Sequence, residues 1–94
     1  MRFEWDPDKA AANLQKHGVG FDEAREVFND PNAIEEFDAD HSIEENRFTV
    51  IGFSRRRLLL VVFTERAGDA IRVISARNAT RRERSEYEQT SQGQ

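Results

Sequence analysis

The amino-acid sequence predicts an α+β fold: two N-terminal helices, an antiparallel β-sheet of three to four strands, and a C-terminal helix. Three observations carry that reading. Helix start and stop signals crowd the first third of the chain, at Asp6-Pro7, Gly18, Asp22 and Asp30-Pro31. Runs rich in Leu, Val, Ile, Phe and Thr follow over 47–54 and 57–65, with a third over 70–77, separated by short turns. Thr80-Arg81-Arg82-Glu83 then has the form of a capping box that opens a last helix.

Each element has a local cause. Asp6 accepts from free amides at a helix start and Pro7 suits the first helical position. Ala10, Ala11 and Leu14 recur at helical spacing and Gly18 stops the helix, which spans 7–17. After the linker Val19-Gly20-Phe21, Asp22 caps a second helix whose apolar face is Ala24, Val27 and Phe28. It ends at Asp30, because a residue before proline avoids the helical region. Helices this short and this polar need a sheet to pack on. Residues 35–40 read as a short edge strand running into an acidic loop over 38–46. Arg55-Arg56 makes a tight turn between the strands 47–54 and 57–65, without the usual Gly or Asn. The continuous apolar run 58–63 suggests a central strand covered on both faces. Ala67-Gly68-Asp69 closes a hairpin onto the last strand, and the final helix runs from Thr80 to about residue 89. The chain reads as one domain over 1–90 with a frayed polar tail, 91–94.

Composition narrows the function. A chain of 94 residues supports one modest core. It has no cysteine, so it forms neither disulfides nor thiolate metal sites. Met1-Arg2-Phe3-Glu4-Trp5-Asp6 lacks the apolar stretch of a signal peptide. The longest apolar run falls far short of the roughly 20 residues of a membrane helix. A soluble, cytoplasmic protein is expected. The net charge of −4 hides a split: residues 1–46 hold 13 acidic and 4 basic side chains, whereas 47–94 hold 10 basic and 5 acidic ones. All the basic residues of the second half are arginine, whose planar fork fits phosphate. A cationic half points to a polyanion partner, or the two signs together make a solvated surface.

Several residues are candidates for chemistry. Alternation along the last strand places Ile71, Val73, Ser75 and Arg77 on one face and Arg72, Ile74 and Ala76 on the other. Arg77 then either projects past the core into a concave site or pairs with a carboxylate. Arg66 ends the preceding strand, near the start of the last one, and need not adjoin Arg77. His17 closes the first helix, where it either simply caps the C-terminus or, with the dipole favouring imidazolium, suits a general acid. His41 lies in the acidic loop. The two histidines stand in unlike contexts without metal-binding spacing, and Asp38, Asp40, Glu44 and Glu45 lack the pattern of a calcium loop, so they read as solvated charge. Arg84 and Tyr87 share a helix face, where they contact phosphate and stack on a base, or where Tyr87 anchors the helix to the sheet. No phosphate-cradling glycine loop, G-x-S-x-G or cysteine nucleophile is present.

Two long strings resemble a known family. Phe3-Glu4-Trp5-Asp6-Pro7 with Lys9, Ala10, Asn13, Lys16-His17-Gly18-Val19 and Phe21 is similar to the N-terminal signature of the BrnT toxins. Thr64-Glu65-Arg66, Ile71 through Arg77, Ala79-Thr80, Arg82-Glu83-Arg84 and Tyr87-Glu88 resemble the second signature. Arg55-Arg56 stands where the family usually turns on glycine, and 35–46 reads as variable. The resemblance implies a RelE-like fold and a ribonuclease toxin of a type II toxin–antitoxin pair that inhibits translation. It also implies a ribbon-helix-helix antitoxin (BrnA-like), through which alone operator DNA is bound, and the acidic half, with Asp22, Glu23 and Glu26, is expected to face a basic segment of that antitoxin. The expected chemistry uses no metal and no cofactor: a ribose 2′-OH attacks the adjacent phosphate. Arg66 and Arg77 are assigned to the phosphate, and Glu65 and His17 to base and acid with interchangeable roles. Lys16, Arg84 and Tyr87 are assigned to RNA binding. The rival readings are a non-catalytic binding module of the same fold and, less favoured, a nuclease using metal held by the 38–45 carboxylates.

Overall fold

Helix α1 (Pro7–His17) forms between the signals that predict it. The Asp6 carboxylate accepts from the Asp8 amide at 2.8 Å, and Gly18, at φ 70°, donates its amide to the Leu14 carbonyl. The computed structural model describes residues 1–43 and 45–92. Helix α2 (Phe21–Ala24) is shorter than expected, because the chain tightens into a 3₁₀ turn over Arg25–Asn29. Five strands follow the order β1-β5-β4-β3-β2: β1 (Arg2–Glu4), β2 (Ile34–Phe37), β3 (Arg47–Phe53), β4 (Leu58–Arg66) and β5 (Ala70–Asn78). Helix α3 (Arg81–Gln92) closes the chain, longer than expected. It takes in the start of the expected tail. Residues 93 and 94 of that tail lie outside the described residues.

The α+β class and the element order hold. The sheet has one strand more than expected and is mixed, because β1 runs parallel to β5 while the other pairs are antiparallel. Three residues give no periodicity to read. They pair because Phe3 enters the core against Phe28, with ring centroids 5.2 Å apart. Expected strand 35–40 stops at Phe37, and the chain turns instead into a 3₁₀ segment over Ala39–His41.

One face of the sheet carries α1, α2 and the 3₁₀ turn. The core between them contains Val19, Phe21, Ala24 and Val27 from the helical layer, and Val50, Leu59, Val61 and Phe63 from the strands. Asn13 is buried in this layer. Its amide donates to the carbonyls of Ala76 and Val19, and its oxygen accepts from the Ala76 amide. Asn13 thus occupies β5 hydrogen-bonding groups much as a further strand would, which protects a sheet edge. On the opposite face Tyr87 of α3 packs on Ile51 and Leu58 at one end, and Thr64 is buried at the other. The expectation that β4 is covered on both faces holds at Leu58 and fails at Leu60 and Val62, which remain half-buried.

A bulge decides which side chains reach that open face. Val62 pairs with Ser75 but Phe63 pairs with Val73, so Ile74 is the extra residue. Ile71, Val73 and Ala76 therefore share the core, and Ser75 and Arg77 share the open face with Arg72. Strict alternation assigns Ser75, Ala76 and Arg77 to the wrong sides, and the bulge corrects it.

Candidate active site

The open face of the sheet forms a groove of about 530 Å³, within the usual size of ligand sites. Its floor is aliphatic and hydroxylic, from Ile51, Leu60, Val62, Thr49 and Ser75. The first turns of α3 border it on the β5 side, and Asp38 and His41 border it on the β2 side.

Arg77 enters this groove from β5. Its guanidinium donates from Nη1 to Glu83 Oε1 at 2.8 Å and from Nη2 to Glu83 Oε2 at 2.9 Å, with a longer bond from Nη1 to the Asn78 carbonyl. Glu83 is also the capping-box residue: its carboxylate accepts from the Thr80 amide, and its amide donates to Thr80 Oγ1. One carboxylate thus starts α3 and aims Arg77. The Arg77 fork holds the Glu83 carboxyl below its ordinary range, against burial, which works to raise it. The same bond strengthens the positive charge of Arg77. Arg77 Nε and the second Nη2 hydrogen make no hydrogen bond among the described residues, so two donors remain for a ligand. Both sequence alternatives for Arg77, a concave site and a carboxylate partner, hold together.

The other predicted residues lie elsewhere. Glu65 and Arg66 end β4 at the far end of the ladder, where Arg66 pairs with Ala70 in register and Leu60 pairs with Arg77. Seven residues of β5 separate those positions, roughly 20 Å at about 3.3 Å per residue. Arg66 meets Glu45 at 3.4 Å and Glu65 is exposed. Lys16 and His17 end α1, in the layer that covers the opposite face of the sheet. Arg84 is exposed and lies over the Phe53 ring at 6.0 Å. Tyr87 is only 7 % exposed, donates its hydroxyl to Asp30 Oδ2 at 2.7 Å and packs edge-on against Phe53. It anchors α3, and its ring offers no open face for a base to stack on. Arg77 is therefore the one predicted catalytic residue that lines the groove, and no two of the four meet there.

Asp30 ties the layers together. Burial alone would raise its carboxyl, but bonds from the Phe53 amide, the Tyr87 hydroxyl and the Asn32 amide hold it below the ordinary value. Gly52 permits the approach: a Cβ there would meet Val27 Cγ1 at 2.7 Å.

The acidic first half serves the fold. Glu23 takes a two-point bond from Arg57 at 2.9 and 2.8 Å, and Arg57 also donates to the Gly18 carbonyl. That fork pulls the Glu23 carboxyl down against burial. Glu26 meets Arg55. Glu23 and Glu26 are thus engaged by the Arg55–Arg57 turn, while Asp22, expected beside them as a contact for a basic partner segment, is exposed.

Asp38 and His41, which the sequence reads as solvated charge in a loop, meet at the rim of the groove. The His41 ring Nδ1 lies 2.9 and 3.1 Å from the two carboxylate oxygens of Asp38. Their three-residue separation in an acidic loop was the only available signal. Among the described residues no three histidine or carboxylate side chains converge as a metal-holding group. Glu44, named in the metal reading, lies outside the described residues.

Residues 5–83 match the family described as "Ribonuclease toxin, BrnT, of type II toxin-antitoxin system". A crystal structure of the Brucella abortus ribonuclease toxin BrnT is similar over 86 % of this chain and 99 % of that one, at 27 % identity and a TM-score of 0.66. No curated protein sequence matches. The family match spans most of the chain, including the capping box beside Arg77, and the chain belongs to the BrnT ribonuclease toxins of type II toxin–antitoxin systems.

Proposed function

We propose that this toxin cleaves RNA without a metal, in the groove on the open sheet face. The ribose 2′-OH attacks the adjacent phosphorus, the bond to the 5′ oxygen breaks, and the products carry a 2′,3′-cyclic phosphate and a 5′-OH. Arg77 carries this reading: a guanidinium aimed by Glu83, with donors left over, where charge grows on the phosphoryl oxygens. Such donors stabilise a phosphorane-like charge much as an oxyanion hole does. The antitoxin partner that comes with the family is, in this reading, a ribbon-helix-helix protein that supplies the DNA contacts.

The test is cleavage of RNA by purified protein in EDTA. Wild type should yield 5′-OH ends, and Arg77→Ala should be slower by on the order of 100-fold. Full activity in that variant would remove Arg77 from the chemistry, and cleavage that stops in EDTA would overturn the metal-free mechanism.

One observation favours a second reading. The groove holds Glu36, Asp38, Glu83 and Glu86 against Arg77 and Arg82, a balance that repels free polyanions. A non-catalytic binding module would fit that balance. Growth arrest on expression without antitoxin, lost in Arg77→Ala, separates the two.

A further inference from the structure

His17 and Glu65 lie away from Arg77, so the groove needs its own proton acceptor. We infer that His41 is the general base of the RNA cleavage and that Asp38 is its positioning residue. The inference rests on the metal-free reading above.

The placement is built into the loop. The Asp38 amide donates to the Arg47 carbonyl, and the Arg47 amide donates to Ser42 Oγ, so the chain folds back over the start of β3. The His41 amide donates to the Asp38 carbonyl, which sets the ring beside the Asp38 side chain. An ionised carboxylate only accepts, so Nδ1 carries the proton in that contact. The neutral ring then has its lone pair on Nε2, as a base requires. Nε2 has no hydrogen bond among the described residues.

His41 also stands at a junction. It lines the Arg77 groove and a second hollow shared with Asp40, Glu45 and Arg47. Arg47 makes no ion pair among the described residues, in contrast to Arg66, which Glu45 holds, and it offers a cation beside the imidazole. The charged groups facing His41 from the groove are Glu36 on β2, Arg77 on β5, and Arg82, Glu83 and Glu86 on α3. A phosphodiester laid over His41 therefore has guanidinium groups on both sides.

The step balances. The O2′–P bond forms and the P–O5′ bond breaks. His41 Nε2 takes the 2′-OH proton, and Asp38 stabilises the resulting imidazolium. The 5′ oxygen takes a proton from water, and the imidazolium returns its own to solvent.

The experiment measures single-turnover cleavage of a single-stranded RNA oligonucleotide in EDTA across protein concentration. His41 has a side chain 68 % exposed, so its substitution should leave thermal unfolding unchanged. His41→Ala and His41→Gln should each lose on the order of 100-fold or more in rate. Asp38→Asn should keep part of the rate, lowering the single-turnover rate constant but not the apparent RNA affinity, a split that a purely structural role would not produce. Wild-type rates in both His41 variants would overturn the inference while leaving the metal-free reading intact. A wild-type rate constant in Asp38→Asn would remove Asp38 from it. A wild type inactive in EDTA would overturn both readings.

Discussion

The two faces of one sheet contrast sharply. On the covered face, rings of Phe3, Phe28, Phe63 and Phe48 form a chain with centroids 5.0 to 5.6 Å apart, and the polar groups are answered from within. Asn13 saturates Ala76, and Arg57 saturates Glu23. On the open face the same strands present half-buried aliphatic side chains, with Arg77 retaining two unused donors and His41 an unused ring nitrogen. Burial under helices uses up hydrogen-bonding capacity, because an unanswered polar group there is costly. The uncovered face can keep reactive groups uncommitted. Stability and chemistry are therefore separable by face, and mutations should show it.

The largest effect should come from the covered face. Phe63→Ala empties a site 1 % exposed and should cost about 3–5 kcal/mol by urea titration. That is a large part of the roughly 5–15 kcal/mol that holds a domain. Arg77→Ala should do the reverse, losing the cleavage described above while the urea midpoint moves far less. A Phe63→Ala protein that stays as stable as wild type, or an Arg77→Ala protein that unfolds, would break the contrast.

Asn13→Ala comes next, at about 1–3 kcal/mol, because it strips partners from buried Ala76 and Val19 groups. Amide exchange should accelerate at Ala76, and an unchanged rate there would mean that another group protects this edge. Acid should act on both faces. Glu23, Asp30 and Glu83 are held below the ordinary values of 4.5 for Glu and 3.8 for Asp. Their contribution is complete above those values and is lost as pH falls through the lower folded-state ones. Stability should be flat from neutrality to about pH 5.5 and fall below it, and Glu23→Gln should blunt the fall. Smallest of all, Glu65→Ala should change stability by about 0.5 kcal/mol or less and leave cleavage intact. A large loss there would return the β4–β5 hairpin to the chemistry.

Much of the fold was legible because local rules act over a few residues. Asp6, Pro7 and Gly18 bound α1 at the predicted residues, and Thr80 and Glu83 form the predicted capping box. The strand-forming runs became β3, β4 and β5 within a residue at each end. The site was less legible. Arg77 was found by its position late in the last strand, but its face was misread because nothing local marks Ile74 as a bulge. His41 was passed over because a histidine among acidic residues in a loop reads as solvated charge. Its value comes from the groove that β2 brings it to.

By itself the sequence determined the class of fold, the bounds of α1, the three long strands and, through two long strings, the family. Caps, turns and β-branched runs bias the backbone locally, so these features survive without tertiary context. Only the tertiary structure decided which side of the sheet each strand residue faces, because register and bulges are set by packing across strands. It alone separated Glu65, Arg66 and His17 from Arg77, and set Asp38 and His41 at the rim of the same groove. Contacts between residues distant in sequence depend on how layers pack, and no short window of the chain encodes that.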